Sequence, residues 1–180
     1  IIINNYLINL KKDKIKKKDI KSICIGNIYV GGTGKTPLSI KIFQILNKLN
    51  FKTATIKKFY KTQIDEQKLL ANKTKLYCLK SRNEAFNKAF EDSIEIAVFD
   101  DGLQDSSINY DLKFVCFNNI KWIGNGFLIP AGPLREKIEN ICKYDAIFLN
   151  GNEENNDDLK KKIKKYNSNI KIFETYYVPN

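Results

Sequence analysis

The chain contains no histidine and no methionine, and only one tryptophan and four prolines among its 180 residues. Without histidine, a zinc site and a histidine general base are both excluded within it. Methionine is missing even at residue 1, which is Ile1, so the sequence reads as part of a longer polypeptide. No run of 18 apolar residues occurs, so no helix of this sequence is expected to span a bilayer. Cys24, Cys78, Cys116 and Cys142 are widely spaced with no CxxC pair. Three of them sit in apolar runs, and they read as small buried hydrophobes in a reducing compartment.

Acidic residues are outnumbered: 20 Asp and Glu stand against 31 Lys and Arg, a net charge of +11. Such an excess suits polyphosphate, an anionic lipid surface or nucleic acid, and abundant Lys, Asn and Ile also fit a lysine-rich compositional style. No aromatic and basic platform for reading bases stands out, so no nucleic-acid partner is expected. The excess is uneven. Residues 11 to 21 hold seven lysines against Asp13 and Asp19, next to the apolar segment from Ile1 to Leu10. Residues 1–21 therefore suit contact with an anionic membrane face, each lysine near the surface adding about 1 kcal/mol. A solvated lead-in is the plainer alternative.

The most informative stretch is SICIGNIYVGGTGKTPL, Ser22 to Leu38. An apolar run from Ile23 to Ile28 meets a glycine loop and then a helical pattern opening at Pro37, the context that a phosphate-binding loop needs. Tyr29, Val30, Gly31, Gly32, Thr33, Gly34, Lys35 and Thr36 would cradle phosphate. Glycines let successive N–H groups face the phosphate oxygens, the helix N-terminus adds positive field, and Lys35 reaches the outer phosphates. Thr36 would hold Mg²⁺. The strict GxxxxGK(S/T) pattern fails at its first glycine, which is Tyr29 here. A glycine-rich turn with an exposed Lys and Thr is the competing reading.

Strand and helix patterns alternate along the rest of the chain. Pro37 to Leu49 carries apolar residues at Leu38, Ile42, Ile45, Leu46 and Leu49, one face of a helix. Strands are expected at Lys52–Ile56, Leu76–Leu79, Ile94–Phe99, Leu112–Phe117, Asp145–Leu149 and Ile170–Phe173. Helices are expected from Asp65, from a Ser81 cap to Phe90, at Leu134–Cys142 and at Asp157–Tyr166. The alternation predicts one P-loop NTPase-like α/β domain over residues 22–180, a doubly wound, mainly parallel sheet with helices on both faces.

A second acidic element follows the strand IEIAVF: Asp100 and Asp101 arrive at its C-terminal end, where open α/β sheets bind ligands. Either would hold Mg²⁺, directly or through water. An Asp-Gly turn after a strand is the commoner alternative.

Taken together, IGNIYVGGTGKTP, DDGLQ and GNGFLIPAGPLRE, in this order and spacing, resemble the tetraacyldisaccharide 4'-kinases, the lipid A 4'-kinases of Gram-negative bacteria. The resemblance runs from about Ile23 to Glu136. It implies transfer of the ATP γ-phosphate to the 4'-hydroxyl of an acylated glucosamine disaccharide phosphate by a peripheral enzyme on the cytoplasmic face of the inner membrane, with ATP and Mg²⁺ as cofactors. The resemblance makes Lys35, Asp65 and Asp100 catalytic. Asp65, in DEQKLLA against the family's GDEPxLLA, would orient or deprotonate the sugar hydroxyl; as a bare residue it is a helix N-terminal acid. Gln104, Asn125 and Arg135 would touch the acceptor; from the residues alone, Arg135 fits a phosphate fork or an internal ion pair nearly equally.

The chain departs from the family pattern in several places. Lys58, Phe59, Tyr60 and Lys61 replace Arg-Gly-Tyr-Gly, Ile64 and Gln67 replace the Gly and Pro around the Asp-Glu pair, and Asp105 stands where histidine is expected. The family's C-terminal half, with a further histidine, is expected to be missing. A monomeric kinase is the expectation; a membrane-associated P-loop ATPase switch, or a truncated ATP-binding domain without transferase activity, is the alternative.

Overall fold

The computed structural model describes residues 20–151 and 155–176. The basic and apolar stretch expected to touch a membrane falls, up to residue 19, outside the described residues. Among the described residues seven strands, β1 (Lys21–Gly26), β2 (Thr53–Lys58), β3 (Leu76–Leu79), β4 (Ile96–Asp100), β5 (Leu112–Asn118), β6 (Ala146–Asn150) and β7 (Lys171–Thr175), form one sheet in the order β3-β2-β4-β1-β5-β6-β7, the architecture of a P-loop NTPase-like α/β fold. Strand β2 pairs in parallel with β3 and β4, and β6 pairs in parallel with β5 and β7. Parallel neighbours need a crossover between them, which is why helices alternate with strands. By its internal contacts the chain divides into two compact units, one holding residues up to 24 and 36–111, the other 25–35 and 112 onward.

In the first unit the order is α1 (Lys35–Lys48, its first residue belonging to the other unit), β2 (Thr53–Lys58), α2 (Ile64–Lys73), β3 (Leu76–Leu79), α3 (Arg82–Glu91) and β4 (Ile96–Asp100). Strand β1 (Lys21–Gly26) enters this unit as far as Cys24. Helix α1 buries Leu38, Ile42 and Leu46 of the expected apolar face together with Phe43, while Ile45 and Leu49 are half-buried. Each buried side chain contributes roughly 1.5–3 kcal/mol. Helix α3 starts where the sequence places it, because Ser81 accepts the Glu84 N–H at 3.2 Å and satisfies a first-turn donor. Cys24, Ala54, Ile56, Ala85, Ala89, Ala97, Phe99 and Tyr110 close the core around these elements. Small residues on α3 let the helix lie close to the sheet.

The second unit contains β5 (Leu112–Asn118), β6 (Ala146–Asn150), α4 (Asp157–Tyr166) and β7 (Lys171–Thr175). Its core is an aromatic ladder across neighbouring strands: Phe114 packs on Phe148 at 5.4 Å and Phe148 on Phe173 at 5.0 Å. Helix α4 has Asp157 and Asp158 in its first turn and Lys164 and Lys165 in its last, each sign where the helix dipole favours it.

Two expectations fail here. The Leu134–Cys142 helix is not formed; only a 3-10 turn at Ile138–Lys143 appears. The missing part spends its backbone groups elsewhere: Leu134 N donates to Phe127 O at 3.1 Å, Leu134 O accepts from Ile129 N at 2.8 Å, and Arg135 N donates to Ile28 O at 2.7 Å. Long-range backbone bonds outcompete the helical pattern. The cysteines also differ from expectation, since only Cys24 and Cys116 are buried, Cys78 is half-buried and Cys142 is exposed.

Candidate active site

The glycine loop belongs to the second unit. Where β1 ends, Asn27 is fully buried and donates its amide to the carbonyls of Tyr29 at 2.6 Å and Gly31 at 3.3 Å. With those carbonyls tied down, the N–H groups of Gly31, Gly32, Thr33 and Gly34 donate to no protein acceptor among the described residues. The Thr33 hydroxyl oxygen is buried with no hydrogen-bond partner. A row of uncommitted amides beside an orphaned hydroxyl fits phosphate oxygens, which accept hydrogen bonds from both.

The loop's departure from the strict motif has a physical reason. Tyr29, in the place of the first glycine, does not have positive φ; the left-handed positions are Gly31 (φ 138°) and Gly34 (φ 78°). Tyr29 is instead an anchor, stacked on Phe117 at 6.2 Å, with its hydroxyl accepting the Asn118 N–H at 3.2 Å. Gly34 is doubly required, because a Cβ there would run into the Asn150 amide. Val30 N donates to Pro133 O at 2.8 Å, so the PAGPLRE loop braces the glycine loop directly. Asn125 spends both ends of its amide inside that loop, donating to Ala131 O at 3.0 Å and accepting from Phe127 N at 3.1 Å. Arg135 is exposed. An open cleft of about 730 Å³ runs along this loop, lined by Phe127, Leu128, Leu134, Lys137 and Ile138 among others.

Thr36, the next residue after Lys35, belongs to the first unit. Its Oγ1 is 3.2 Å from Asp100 Oδ2, and Ser39 Oγ donates to Asp100 Oδ1 at 2.9 Å. Asp100 is 0% exposed, and its second oxygen also takes Lys57 Nζ at 2.7 Å. The predicted pairing of Thr36 with an acid at the end of β4 is therefore formed, and with Asp100. Asp101 diverges: it takes a left-handed φ of 62°, and its carbonyl accepts from the Arg82 guanidinium. A threonine hydroxyl and a carboxylate are hard oxygen donors, the set that suits Mg²⁺.

Sequence reasoning missed Lys57, Ser39 and Arg82. Lys57 falls just past the strand expected at Lys52–Ile56, yet it lies in β2 with its side chain 1% exposed and reaches both Asp100 and, at 2.9 Å, Glu66. Burial alone would lower its pKa; Asp100, with Glu66 behind it, more than offsets that, so the ammonium titrates above its ordinary value. The available signal was an inward position in a buried strand ending beside two acids. Arg82 pairs with Asp105, the residue standing where histidine is expected: its guanidinium donates to Asp105 Oδ2 at 3.0 Å, so an ion pair holds the segment after β4. The Ser107 hydroxyl, against the opposing effect of burial, and then the Ser107 N–H and Arg82 keep the Asp105 carboxyl below its usual range.

The remaining expected residues are peripheral to this cluster. Asp65 is exposed in the first turn of α2, and Gln104 is exposed after β4. Gln67, in place of the family's proline, is buried and ties Tyr60 O, at 2.6 Å, to Cys78 Sγ, at 3.1 Å.

A family model described as tetraacyldisaccharide-1-P 4'-kinase matches residues 2–179. The tetraacyldisaccharide 4'-kinase of Pelagibacter ubique (strain HTCC1062) is 54% identical over 168 residues, covering 93% of this chain and 54% of that protein. The one from Vibrio campbellii (strain ATCC BAA-1116) is 30% identical over 161 residues, 79% of this chain and 48% of that protein. The chain thus spans about half the length of the curated relatives it matches. Among solved structures, LpxK from Aquifex aeolicus in complex with ATP superposes with a TM-score of 0.63 at 21% identity, over 98% of this chain and 77% of that one. The hydrogenase maturation factor HypB from Archaeoglobus fulgidus gives 0.59 at 13% identity, over 98% and 91%. At those identities the likeness is one of fold. The family match has a wider reach, since it takes in both units and every motif discussed above: this chain belongs to the tetraacyldisaccharide 4'-kinase family.

Proposed function

We propose that the chain acts in an ATP-dependent kinase that transfers the γ-phosphoryl group to the 4'-hydroxyl of a tetraacyl-disaccharide 1-phosphate in lipid A biosynthesis. The observation that carries this reading is the contact between Thr36 and buried Asp100, immediately after a loop of uncommitted amides, in a chain of this family. Lys35 and the N–H groups of Gly31 to Gly34 would neutralise the β and γ phosphates. Thr36 and Asp100 would hold Mg²⁺, with Asp101 beside them in sequence; when bound, the ion draws charge from the phosphate oxygens. The acceptor hydroxyl oxygen attacks phosphorus, the bond to the ADP oxygen breaks, and the hydroxyl proton passes to the Asp65 carboxylate. Gln104 and Arg135 would orient the acceptor, and Asn125 would shape the loop that carries Arg135. Such chemistry depends mainly on positioning and charge.

Phe127, Leu128 and Ile129 expose 63, 40 and 53% of their surface beside that loop. A contiguous apolar run of this kind supports an acyl-chain acceptor and contact with a lipid surface; with the proposed lipid A role, that surface would be the cytoplasmic face of the bacterial inner membrane. The test is label transfer from γ-labelled ATP to the tetraacyl-disaccharide 1-phosphate in mixed micelles. Lys35→Ala is expected to lose roughly a hundredfold or more of the rate. An unchanged rate in that variant, or label released only as free phosphate by the unaltered protein, would overturn the proposal.

A further inference from the structure

Asp100 places a carboxylate side chain inside the first unit. Its neighbours Thr36 and Ser39 give hydrogen bonds but no charge, and its surface is wholly covered. A buried carboxylate without a cation is strongly unfavourable. Lys57, itself 1% exposed on its side chain, supplies that cation at 2.7 Å. Its second bond, to Glu66 at 2.9 Å, points to a carboxylate that is 51% exposed. The ammonium thus bridges a sealed acid and a solvated one.

We propose that Lys57 is the internal counter-ion of the metal site: without nucleotide its ammonium stands in for the divalent cation on Asp100, so metal enters together with phosphate and not alone. This inference rests on the reading of Thr36 and Asp100 as the metal-holding pair. A divalent ion approaching Asp100 meets a like charge already in contact with Oδ2, in surroundings that screen poorly. Nucleotide phosphates bring the negative charge that offsets this repulsion. Glu66 gives the ammonium a second acceptor, so Nζ can loosen its bond to Asp100 without being left unpaired.

The probe is Mn²⁺ alone, with the free ion followed by electron paramagnetic resonance in nucleotide-free buffer. Lys57→Met should bind Mn²⁺ roughly tenfold tighter, or more, than the unaltered protein, because a like charge has been removed. Lys57→Arg, which keeps the charge, should stay weak, and Lys57→Met with Asp100→Asn should lose the gain. A purely structural lysine would leave Mn²⁺ affinity unchanged in Lys57→Met, and that result overturns the inference. If Lys57→Met does not fold in metal-free buffer, added Mn²⁺ must restore its circular dichroism and cooperative melting; failure to do so overturns it as well. Mn²⁺ binding by the unaltered protein in the presence of ATP separates the two levels. Its absence removes the metal-site reading, whereas its presence with no gain in Lys57→Met removes only the role given to Lys57.

Discussion

The Lys57–Asp100 pair allows a quantitative test of the site's construction. The two groups lie 2.7 Å apart with side chains 1% and 0% exposed. At an effective dielectric of about 20, the bare attraction at that distance is about 6 kcal/mol. Desolvation takes back a large share, and removing one partner from such a buried pair costs about 3–5 kcal/mol. Asp100→Asn leaves a buried ammonium facing only Glu66, and Lys57→Met leaves a buried carboxylate facing two hydroxyls. Both single variants should be destabilised by that amount in urea unfolding without metal or nucleotide. Removing both charges together should cost about 1–2 kcal/mol, because no ion is then stranded. The double-mutant cycle therefore predicts a coupling of about 4 kcal/mol or more. Single losses that simply add in the double variant would refute the buried pair and the inference built on it.

Other perturbations reach the rest of the site. Gly34→Ala should cost about 1–2 kcal/mol from its left-handed backbone alone, with more from the clash against Asn150, seen as a lower urea midpoint. Gly32→Ala adds a methyl where nothing lies within 4 Å. It should change stability by no more than about 0.5 kcal/mol while weakening ATP binding in calorimetry, because only a bound phosphate would meet the new carbon. The lowered Asp105 pKa, held down first by the Ser107 hydroxyl and then by the Ser107 N–H and Arg82, means that these contacts contribute stability above the unfolded value of about 3.9, and that this is lost as pH falls through the lower folded value. Asp105→Asn should accordingly be less stable at neutral pH and show a shallower acid limb in thermal melts. Phe127→Ala should raise KM for the lipid acceptor while leaving KM for ATP unchanged.

Much of this was legible from pattern. The apolar spacing of Leu38, Ile42 and Leu46 marks α1, Ser81 marks the start of α3, and Asp157–Tyr166 has the observed bounds because its charges follow the dipole. The glycine loop, and the contact of Thr36 with the acid that ends β4, were readable because a strand end and a helix start carry the ligand-binding residues of a parallel sheet. What was not legible depends on partners distant in sequence. Leu134 and Arg135 look helical locally but bond to Phe127 and Ile28. Lys57 reads as a residue just past a strand until its contact with Asp100, 43 residues away, is seen, and Asp105 looks like a lost histidine until Arg82 is placed beside it. Asp101 and Asp100 are neighbours in sequence, yet a left-handed backbone at Asp101 sets them in different surroundings.

Calorimetric titration with ATP, in the presence and absence of Mg²⁺, on the unaltered protein and on Asp100→Asn, tests the site most directly. Magnesium should tighten ATP binding by the unaltered protein and have little effect on the variant. Equal stimulation by magnesium in both proteins would contradict a metal held by Thr36 and Asp100.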